Sequence, residues 1–228
     1  MNQPKTTKLA FLFKENKVYE KEYRFNFYGG FALSEKQKTI LAFHTEIEKD
    51  GITNILEISS KSKNPLGKSL SAFNLKLSIN KKSYSIESIY QSSKVFQNSI
   101  QFTQVLEIPP FDAKKFVKEE VQKQHLILNK FHCFGYDFPI NPPSLFYDFI
   151  YVSALNQNPE ITKELINFTC FTDVEFNHKK QVASQARSCA IYCYLHQNKL
   201  LDKALNNIDF FKEIYSKVIV SYQLMLLD

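Results

Sequence analysis

The chain has 228 residues and a formal net charge of +6, with 44% hydrophobic and 23% charged residues. These values are ordinary for a globular protein and exclude an extensively disordered chain. The 21 phenylalanines and 12 tyrosines, without any tryptophan, predict an aromatic-rich core. The modest positive charge is compatible with a phosphate-bearing or nucleic-acid ligand but is equally common in proteins that bind neither. A chain of this length forms one large domain or two small ones, and we predict a single domain over 1–228.

The N-terminal stretch "MNQPKTTKLAFLF" lacks the apolar core and small-residue cleavage site of a signal peptide. No run of eighteen apolar residues occurs, so no membrane span is expected. These features predict a cytoplasmic protein.

Cys133, Cys170, Cys189 and Cys193 form no CxxC pair. In a cytoplasmic chain of this size they are expected to be reduced thiols. Cys189 and Cys193 share a helical face and His178 lies nearby in sequence, which leaves a metal site as the alternative to buried thiols. Buried thiols are the preferred interpretation, and we predict neither a metal nor a cofactor.

In the N-terminal half, the sequence pattern predicts several strands and one long helix. The alternation in "KLAFLFKENKVYEKEYRFNF" predicts a hairpin within 1–30, with "KENK" as its turn and Gly29–Gly30 as its end. Ser34 and Gln37 form a capping pattern that predicts a helix from Ser34 to Gly51. The segments "NILEIS" and "FNLKLSI" are typical of strands, and "SKSKNPLGKSLS" between them predicts a polar loop.

From Ala113 onward the sequence is mainly typical of helices. "AKKFVKEEVQK", "NPPSLFYDFIYVSALNQ" and "NPEITKELINF" predict three of them, with Pro143 and Pro159 in first turns. "FTDVEFN" predicts a short extended piece before a helix that contains Arg187, and an amphipathic helix is predicted within 200–228. A loop is predicted over 100–110. The fold class predicted is α+β, mainly helical, with a small antiparallel sheet.

The segment "YSIESIYQSSKVF" places Glu87, Gln91 and Lys94 at positions i, i+4 and i+7. Residues at this spacing lie on one stripe of a helix, where their side chains converge. The pattern alone favours a solvated salt-bridge ladder over an active site, because such pairs are common on helix surfaces.

Three other groups of residues could form a ligand site, but each also has a purely structural interpretation. Walker loops, GxGxxG, GxSxG and HExxH motifs do not occur in the sequence. "SSKSKNPLGKS" is suited to phosphate oxygens but also resembles a flexible surface loop. Asp173 and Glu175 would face one side of an extended segment with Arg187 neutralising one of them, or the group is a structural ion pair. A last set, Phe25, Phe27, Tyr28 and Phe31, forms either a stacking platform for a base or part of the core.

Several short matches together indicate a family. "ESIYQSSK" resembles the "EHYFQAxK" motif of the NADAR family, with Ser88 in place of its histidine, and "LSAFNL" lies where that family has an "FSNF"-like segment. The blocks "GFALSEKQKTI", "LEISSKSKNPLG", "YQSSKVF", "FYDFIYVSALNQNPE", "FTDVEFN" and "QARS" resemble the divergent NADAR antitoxins that accompany DarT-type toxins. The resemblance covers most of the chain from Gly30 to Ser188. No tryptophan is present for base stacking, and phenylalanine or tyrosine is expected to replace it.

The resemblance implies a cytoplasmic N-glycosidase, a hydrolase that removes ADP-ribose from guanine bases in DNA and so cancels a DNA ADP-ribosyltransferase toxin. The expected partners are ADP-ribosylated DNA, ADP-ribose as product, and the cognate DarT-type toxin. The alternatives are a glycosidase acting on another ADP-ribose-like or riboflavin-pathway metabolite, and a non-catalytic antitoxin that binds its toxin.

For this chemistry Glu87 and Lys94 are the candidate catalytic residues. A carboxylate stabilises positive charge at an anomeric carbon, and a lysine that loses its proton is a nucleophile able to form a Schiff base. The candidate substrate-binding residues are Gln91, Tyr90, Ser60, Lys61, Asn74, Asp173 and Arg187, with the serine–lysine loop expected to hold the diphosphate.

Overall fold

The computed structural model describes residues 3–133 and 135–221, with the backbone alone for 219–221. Its strands are β1 (Lys5–Lys14), β2 (Lys17–Asn26), β3 (Ile55–Glu57), β4 (Lys76–Ile79), β5 (Lys82–Ser85), β6 (Lys94–Phe96), β7 (Leu128–Cys133), β8 (Tyr136–Phe138), β9 (Cys170–Thr172) and β10 (Ile219–Ser221). Its helices are α1 (Leu33–Glu48), α2 (Pro65–Ser69), α3 (Ile86–Ser92), α4 (Pro110–Gln124), α5 (Leu145–Asn156), α6 (Pro159–Leu165), α7 (Gln185–Gln197), α8 (Leu201–Asn206) and α9 (Ile208–Val218). Within the described ranges, no helix is both long and apolar enough to cross a bilayer.

The α+β class is confirmed, and the strands form three sheets. The largest has the order β10-β2-β1-β9-β3, in which β10 runs parallel to β2 and β3 parallel to β9. The others are the β4-β5 hairpin and the antiparallel sheet β6-β7-β8. The structure therefore has more strand, and more parallel pairing, than the single small antiparallel sheet predicted. The additional strands β5, β6, β7, β8 and β10 come from segments where the sequence predicts helix or no element.

The predicted N-terminal hairpin is confirmed. Glu15 and Asn16, at φ 50° and 57°, form the tight turn between β1 and β2. Positive φ at both central residues matches the twist of antiparallel strands. β1 also pairs with β9 through Ala10–Leu12, so the hairpin is part of the central sheet.

Helix α1 packs on this hairpin. It begins at Leu33 after Ala32, which makes no side-chain cap, so the predicted Ser34–Gln37 capping pattern is wrong. The aromatic rings of Phe25 and Phe43 stack with centroids 4.5 Å apart, which assigns Phe25 to the core rather than to a ligand platform. Phe31 is fully exposed.

The predicted polar loop after β3 is partly helical. Asn64 caps α2 by accepting a hydrogen bond from the Leu66 N–H at 2.9 Å. At Gly67 a Cβ atom would lie 2.0 Å from the Glu57 carbonyl oxygen, so only glycine allows this helix to pack on β3. Asn64 of this loop therefore has a structural role, because it caps the short helix α2.

The Glu87 segment is not one continuous helix. Ser85 caps α3, and the Ser92 and Ser93 hydroxyls donate to the Ile89 carbonyl at 3.0 and 2.7 Å, where the helix ends. Such bonds compete with the helical backbone pattern. Lys94 is consequently the first residue of β6, where it pairs with Phe131 of β7.

The C-terminal half is largely as predicted. Pro159 is the first residue of α6, whereas Pro143 precedes α5. The predicted helix in 200–228 is divided at Asn207, whose Oδ1 accepts the Phe210 N–H at 3.0 Å and starts α9. The end of that prediction, 222–228, lies outside the described residues.

Candidate active site

A cleft of about 370 Å³ lies between α3, α4 and the segment that follows β9. This volume is within the range of small-molecule sites. Its lining residues are Ala72, Phe73, Glu87, Tyr90, Gln91, Lys94, Lys114, Tyr147, Asp173, Glu175, Phe176, Lys180, Gln181, Val182, Ala183 and Gln185. Five predicted site residues, Glu87, Tyr90, Gln91, Lys94 and Asp173, therefore meet in one place.

One wall of the cleft holds a chain of hydrogen bonds. Lys94 Nζ donates to Gln91 Oε1 at 2.7 Å, and Gln91 Nε2 donates to Glu87 Oε1 at 2.7 Å. Glu87 is 6% exposed and Gln91 5% exposed. A solvated salt-bridge ladder would leave these side chains in water, so burial excludes the surface interpretation. The three residues meet although Lys94 has left the helix.

The Lys94 amine lies in a desolvated position. Burial is the main reason that the pKa of Lys94 is lowered to about 8; the nearby Glu87 carboxylate opposes this shift, and Lys114 adds to it. Low dielectric disfavours the ammonium form. A substantial share of Lys94 is therefore a neutral, nucleophilic amine slightly above neutral pH.

Tyr90 fixes the position of this lysine. The Lys94 Nζ lies 4.8 Å from the centroid of the Tyr90 ring, which itself stacks on Phe131 at 5.4 Å and meets the edge of Tyr147 at 5.2 Å. Burial raises the pKa of Tyr90 to about 12, so its hydroxyl stays neutral. The ring serves as a rigid floor beneath the amine.

Helix α4 adds a cation that the sequence does not single out. Lys114 Nζ lies 3.6 Å from Glu87 Oε1 and 5.5 Å from the centroid of the Phe73 ring. Its side chain is 47% exposed, so it borders the mouth of the cleft. In "AKKFVKEEVQK" this lysine is one of several at surface spacing, and nothing in the pattern distinguishes it.

The opposite wall is formed by Asp173, directly after β9. Its Oδ1 accepts the N–H groups of Glu175 and Phe176 at 3.0 and 3.2 Å, which folds the segment into a turn rather than the predicted extended piece. Burial, together with the nearby buried Glu57, raises the pKa of Asp173 to about 7, and Lys8 opposes this shift. Asp173 therefore keeps its proton to a higher pH than an ordinary carboxyl group.

Gln185 joins the two walls. Its Oε1 accepts the Ala72 N–H at 2.7 Å, and the Ala72 carbonyl accepts the Glu87 N–H at 2.9 Å. A hydrogen bond from Gln185 also lowers the pKa of Asp173. Gln185 lies in the "QARS" block, which is the only sequence signal that could have identified it.

Arg187 lies behind the cleft and is not one of its lining residues. Its Nε donates to Asp148 Oδ2 at 3.2 Å and its Nη2 donates to the Val182 carbonyl at 2.6 Å, while Nη1 lies 3.8 Å from Glu20. Asp148 is fully buried. The predicted pairing of Arg187 with Asp173 or Glu175 is therefore wrong, and the ion pair ties the cleft loop at Val182 to α5.

We expect Arg187→Met to lower the free energy of unfolding by about 3–5 kcal/mol, because it leaves the buried Asp148 carboxylate without its cation. Urea unfolding measures this loss. Lys115→Met, which removes an exposed lysine of α4 whose partner Glu119 is also exposed, is the control and should change stability by less than about 1 kcal/mol. A stable Arg187→Met variant with weakened ADP-ribose binding would instead indicate substrate contact.

Ser60, Lys61 and Asn74 also lie outside the lining of the cleft. The Asn74 amide donates to the Lys68 carbonyl at 2.8 Å and closes the end of α2. Substrate contact by these residues stays a prediction.

The fold and the cleft define an α+β protein with a ligand-sized site built around a carboxylate and a desolvated lysine. The chain belongs to the family described as DarT1-associated NADAR antitoxin, whose profile matches residues 6–223. The resemblance drawn from the sequence is thereby confirmed, and membership supports an antitoxin role with a DarT1 toxin as partner. No curated protein matches the chain.

Proposed function

We propose that this antitoxin is an N-glycosidase that removes ADP-ribose from modified guanine in DNA. The observation that carries the proposal is the hydrogen-bonded chain Glu87–Gln91–Lys94 in a cleft of ligand size. Burying an ionisable group costs stability, so such groups with shifted pKa values are found mainly where the chemistry of a site needs them.

Cleavage of the bond between guanine and ribose develops positive charge at the anomeric carbon. A carboxylate beside that carbon stabilises the charge, or deprotonates the water that attacks it. Glu87 is suited to this role because Gln91 and Lys114 hold its Oε1 in a fixed position. The Glu87 side chain thus meets the electrostatic requirement of the reaction.

Lys94 offers a second route through a Schiff base. The ribose ring first opens: the bond from C1 to the ring oxygen breaks, the oxygen takes up a proton, and C1 stays joined to the guanine nitrogen as an imine. The neutral amine of Lys94 adds to C1. The bond from C1 to the guanine nitrogen then breaks as that nitrogen takes a proton from the amine, which leaves a C=N bond to Lys94. Water then hydrolyses the C=N bond, releasing ADP-ribose and the free amine. In this route Gln91 Oε1 accepts one N–H of Lys94, so the lone pair stays available to the sugar.

The cleft offers cations for the diphosphate. Lys114 and Lys180 both line it, and lysine is a common ligand of phosphate oxygens. Asp173 and Gln185 on the opposite wall offer hydrogen bonds to ribose hydroxyls or to the edge of the base. We therefore propose that Lys114 and Lys180 hold the diphosphate, with the serine–lysine loop as an additional contact for a longer ligand.

A non-catalytic antitoxin would need no such cleft. Binding a toxin surface requires neither a desolvated lysine nor a carboxylate held beside it. Among N-glycosidases, no feature of the cleft favours a free metabolite over a modified base. The family's association with DarT1 favours the DNA substrate.

The decisive test is turnover. We expect one molecule of the protein per hundred modified sites to clear ADP-ribose from guanine-ADP-ribosylated DNA, with ADP-ribose and unmodified guanine as products. Quantification of both by chromatography and mass spectrometry measures this. Clearance that stops at one equivalent, or neutralisation of the toxin without product, would reject the glycosidase in favour of a binding antitoxin.

A further inference from the structure

A second groove runs along the open end of the β1–β2 hairpin. In the strand register Lys5 is opposite Asn26, and Thr7 is opposite Arg24, so these four residues lie on one face. Two adjoining concave regions of about 700 and 380 Å³ share Lys5 and Arg24. The smaller one also contains Lys179 and Asn177, from the segment after β9.

Three cations of this groove, Lys5, Arg24 and Lys179, have no ion-pair partner among the described residues, whereas two other lysines that line its larger region are paired. Lys38 is paired with Glu35 at 2.8 Å, and Lys49 with Glu46 at 2.6 Å. Within the described part of the chain, no carboxylate lies within ion-pair distance of Lys5, Arg24 or Lys179, and all three are exposed. The smaller region has no acidic lining residue at all among those described.

The groove and the active-site cleft share one wall. In the segment after β9, Asn177 and Lys179 line the groove, whereas Phe176 and Lys180 line the cleft. Lys8, from β1, donates to the Phe176 carbonyl at 2.5 Å and holds this segment against the hairpin. The segment that brings Lys180 to the cleft therefore brings Lys179 to the groove, whose lining also includes Arg24 and Lys5.

We propose that this groove binds the sugar-phosphate backbone of the DNA strand next to the modified guanine. The inference rests on the proposed function, because it concerns how that site holds its substrate. Unpaired cations interspersed with neutral donors are typical of surfaces that contact phosphodiesters, and Thr7, Asn26 and Asn177 supply the neutral donors. The phosphate contacts position the strand, while the cleft takes the modified base.

The test compares two substrates and two surfaces. Two variants reverse charge in the groove: the double variant Lys5→Glu/Arg24→Glu and the single variant Lys179→Glu. The control is Lys17→Glu, at the turn end of the same hairpin. Each is assayed on an ADP-ribosylated single-stranded oligodeoxynucleotide and on ADP-ribosylated guanosine. We expect the groove variants to lose about tenfold or more in kcat/KM on the oligonucleotide and nothing on the nucleoside. The Lys17 variant should match the wild type on both.

Binding of an unmodified oligonucleotide, followed by fluorescence anisotropy, tests the groove without turnover. The double variant should bind more weakly and lower the slope of log Kd against log salt by about 1.4, since each phosphate contact on a single strand contributes about 0.7. Unchanged DNA binding, or equal losses on oligonucleotide and nucleoside, would overturn the proposal. Unchanged DNA binding with lost affinity for the toxin would make the groove a protein interface. If the wild-type protein binds DNA through the groove but releases no ADP-ribose, the proposed glycosidase activity is rejected while the proposed DNA-binding groove stands.

Discussion

Lys94→Met and Glu87→Gln should each lower kcat/KM for release of ADP-ribose by about 10³-fold or more. Loss of a positioned acid, base or nucleophile typically has effects of this size. Glu87→Gln keeps the shape of the side chain but removes the charge that stabilises the sugar cation. Lys94→Met keeps a chain of similar length but removes the amine. Product release from ADP-ribosylated DNA, measured under single-turnover conditions, gives both values.

The same variants should remain folded. The pKa of Lys94 in the fold, about 8, is below its ordinary value of 10.5. A lysine shifted in this direction destabilises the fold at pH values below about 8, where it is protonated in both states, and this cost disappears as the pH rises toward 10.5. Lys94→Met should therefore keep or raise the melting temperature at pH 7, as expected when a catalytic group is removed from a buried site.

Lys115→Met provides the control, because Lys115 is a neighbour of Lys114 on α4 but is 64% exposed and does not line the cleft. It should keep full activity. If both cleft variants turn over DNA like the wild type while the Lys115 control behaves as expected, the catalytic site lies elsewhere. A cleft variant that loses activity together with its cooperative melting would show damage to the fold rather than to the chemistry.

The sequence was sufficient for the local part of this site and insufficient for the long-range part. Glu87, Gln91 and Lys94 lie within eight residues, so their spacing alone brought them together even though the helix ends before Lys94. The N-terminal hairpin was equally predictable, because the alternation in β1 and β2 and the turn between them are local signals. Solvent exposure was not predictable in this way, and burial is what distinguishes the site from a surface ladder.

Contacts between distant segments could not be derived from spacing. Lys114 reaches Glu87 from another helix, and Arg187 pairs with Asp148 across 39 positions. Both depend on how α4, α5 and α7 pack, which periodicity does not specify. In the polar loop after β3, Asn64 caps α2, and Asn74 beyond the loop closes the end of that helix. Asparagine satisfies local backbone groups as well as ligand oxygens, so composition alone does not separate this role from a phosphate contact.

The pH dependence should distinguish a nucleophilic Lys94 from a fixed cation. If the neutral amine attacks the sugar, kcat/KM rises as the pH increases through about 8, because deprotonation generates the nucleophile. If the ammonium instead holds a phosphate, kcat/KM falls over the same range. Asp173, whose pKa is raised to about 7, titrates nearby, so the profile is measured in Asp173→Asn as well. A transition that persists in that variant belongs to Lys94.

Reduction during turnover then identifies the intermediate. In the Schiff-base route borohydride converts the C=N bond into a stable amine, which leaves ADP-ribose attached to the peptide that contains Lys94. Glu87→Gln should accumulate more of this adduct if Glu87 directs the water that hydrolyses it, and Lys94→Met should accumulate none. Mass spectrometry of the digested protein measures the adduct. Two results together would reject the Schiff base: an unmodified Lys94 peptide from a reaction that is turning over, and activity that falls above pH 8. Glu87 would then activate water directly, and Lys94 would act as a charged ligand of the diphosphate.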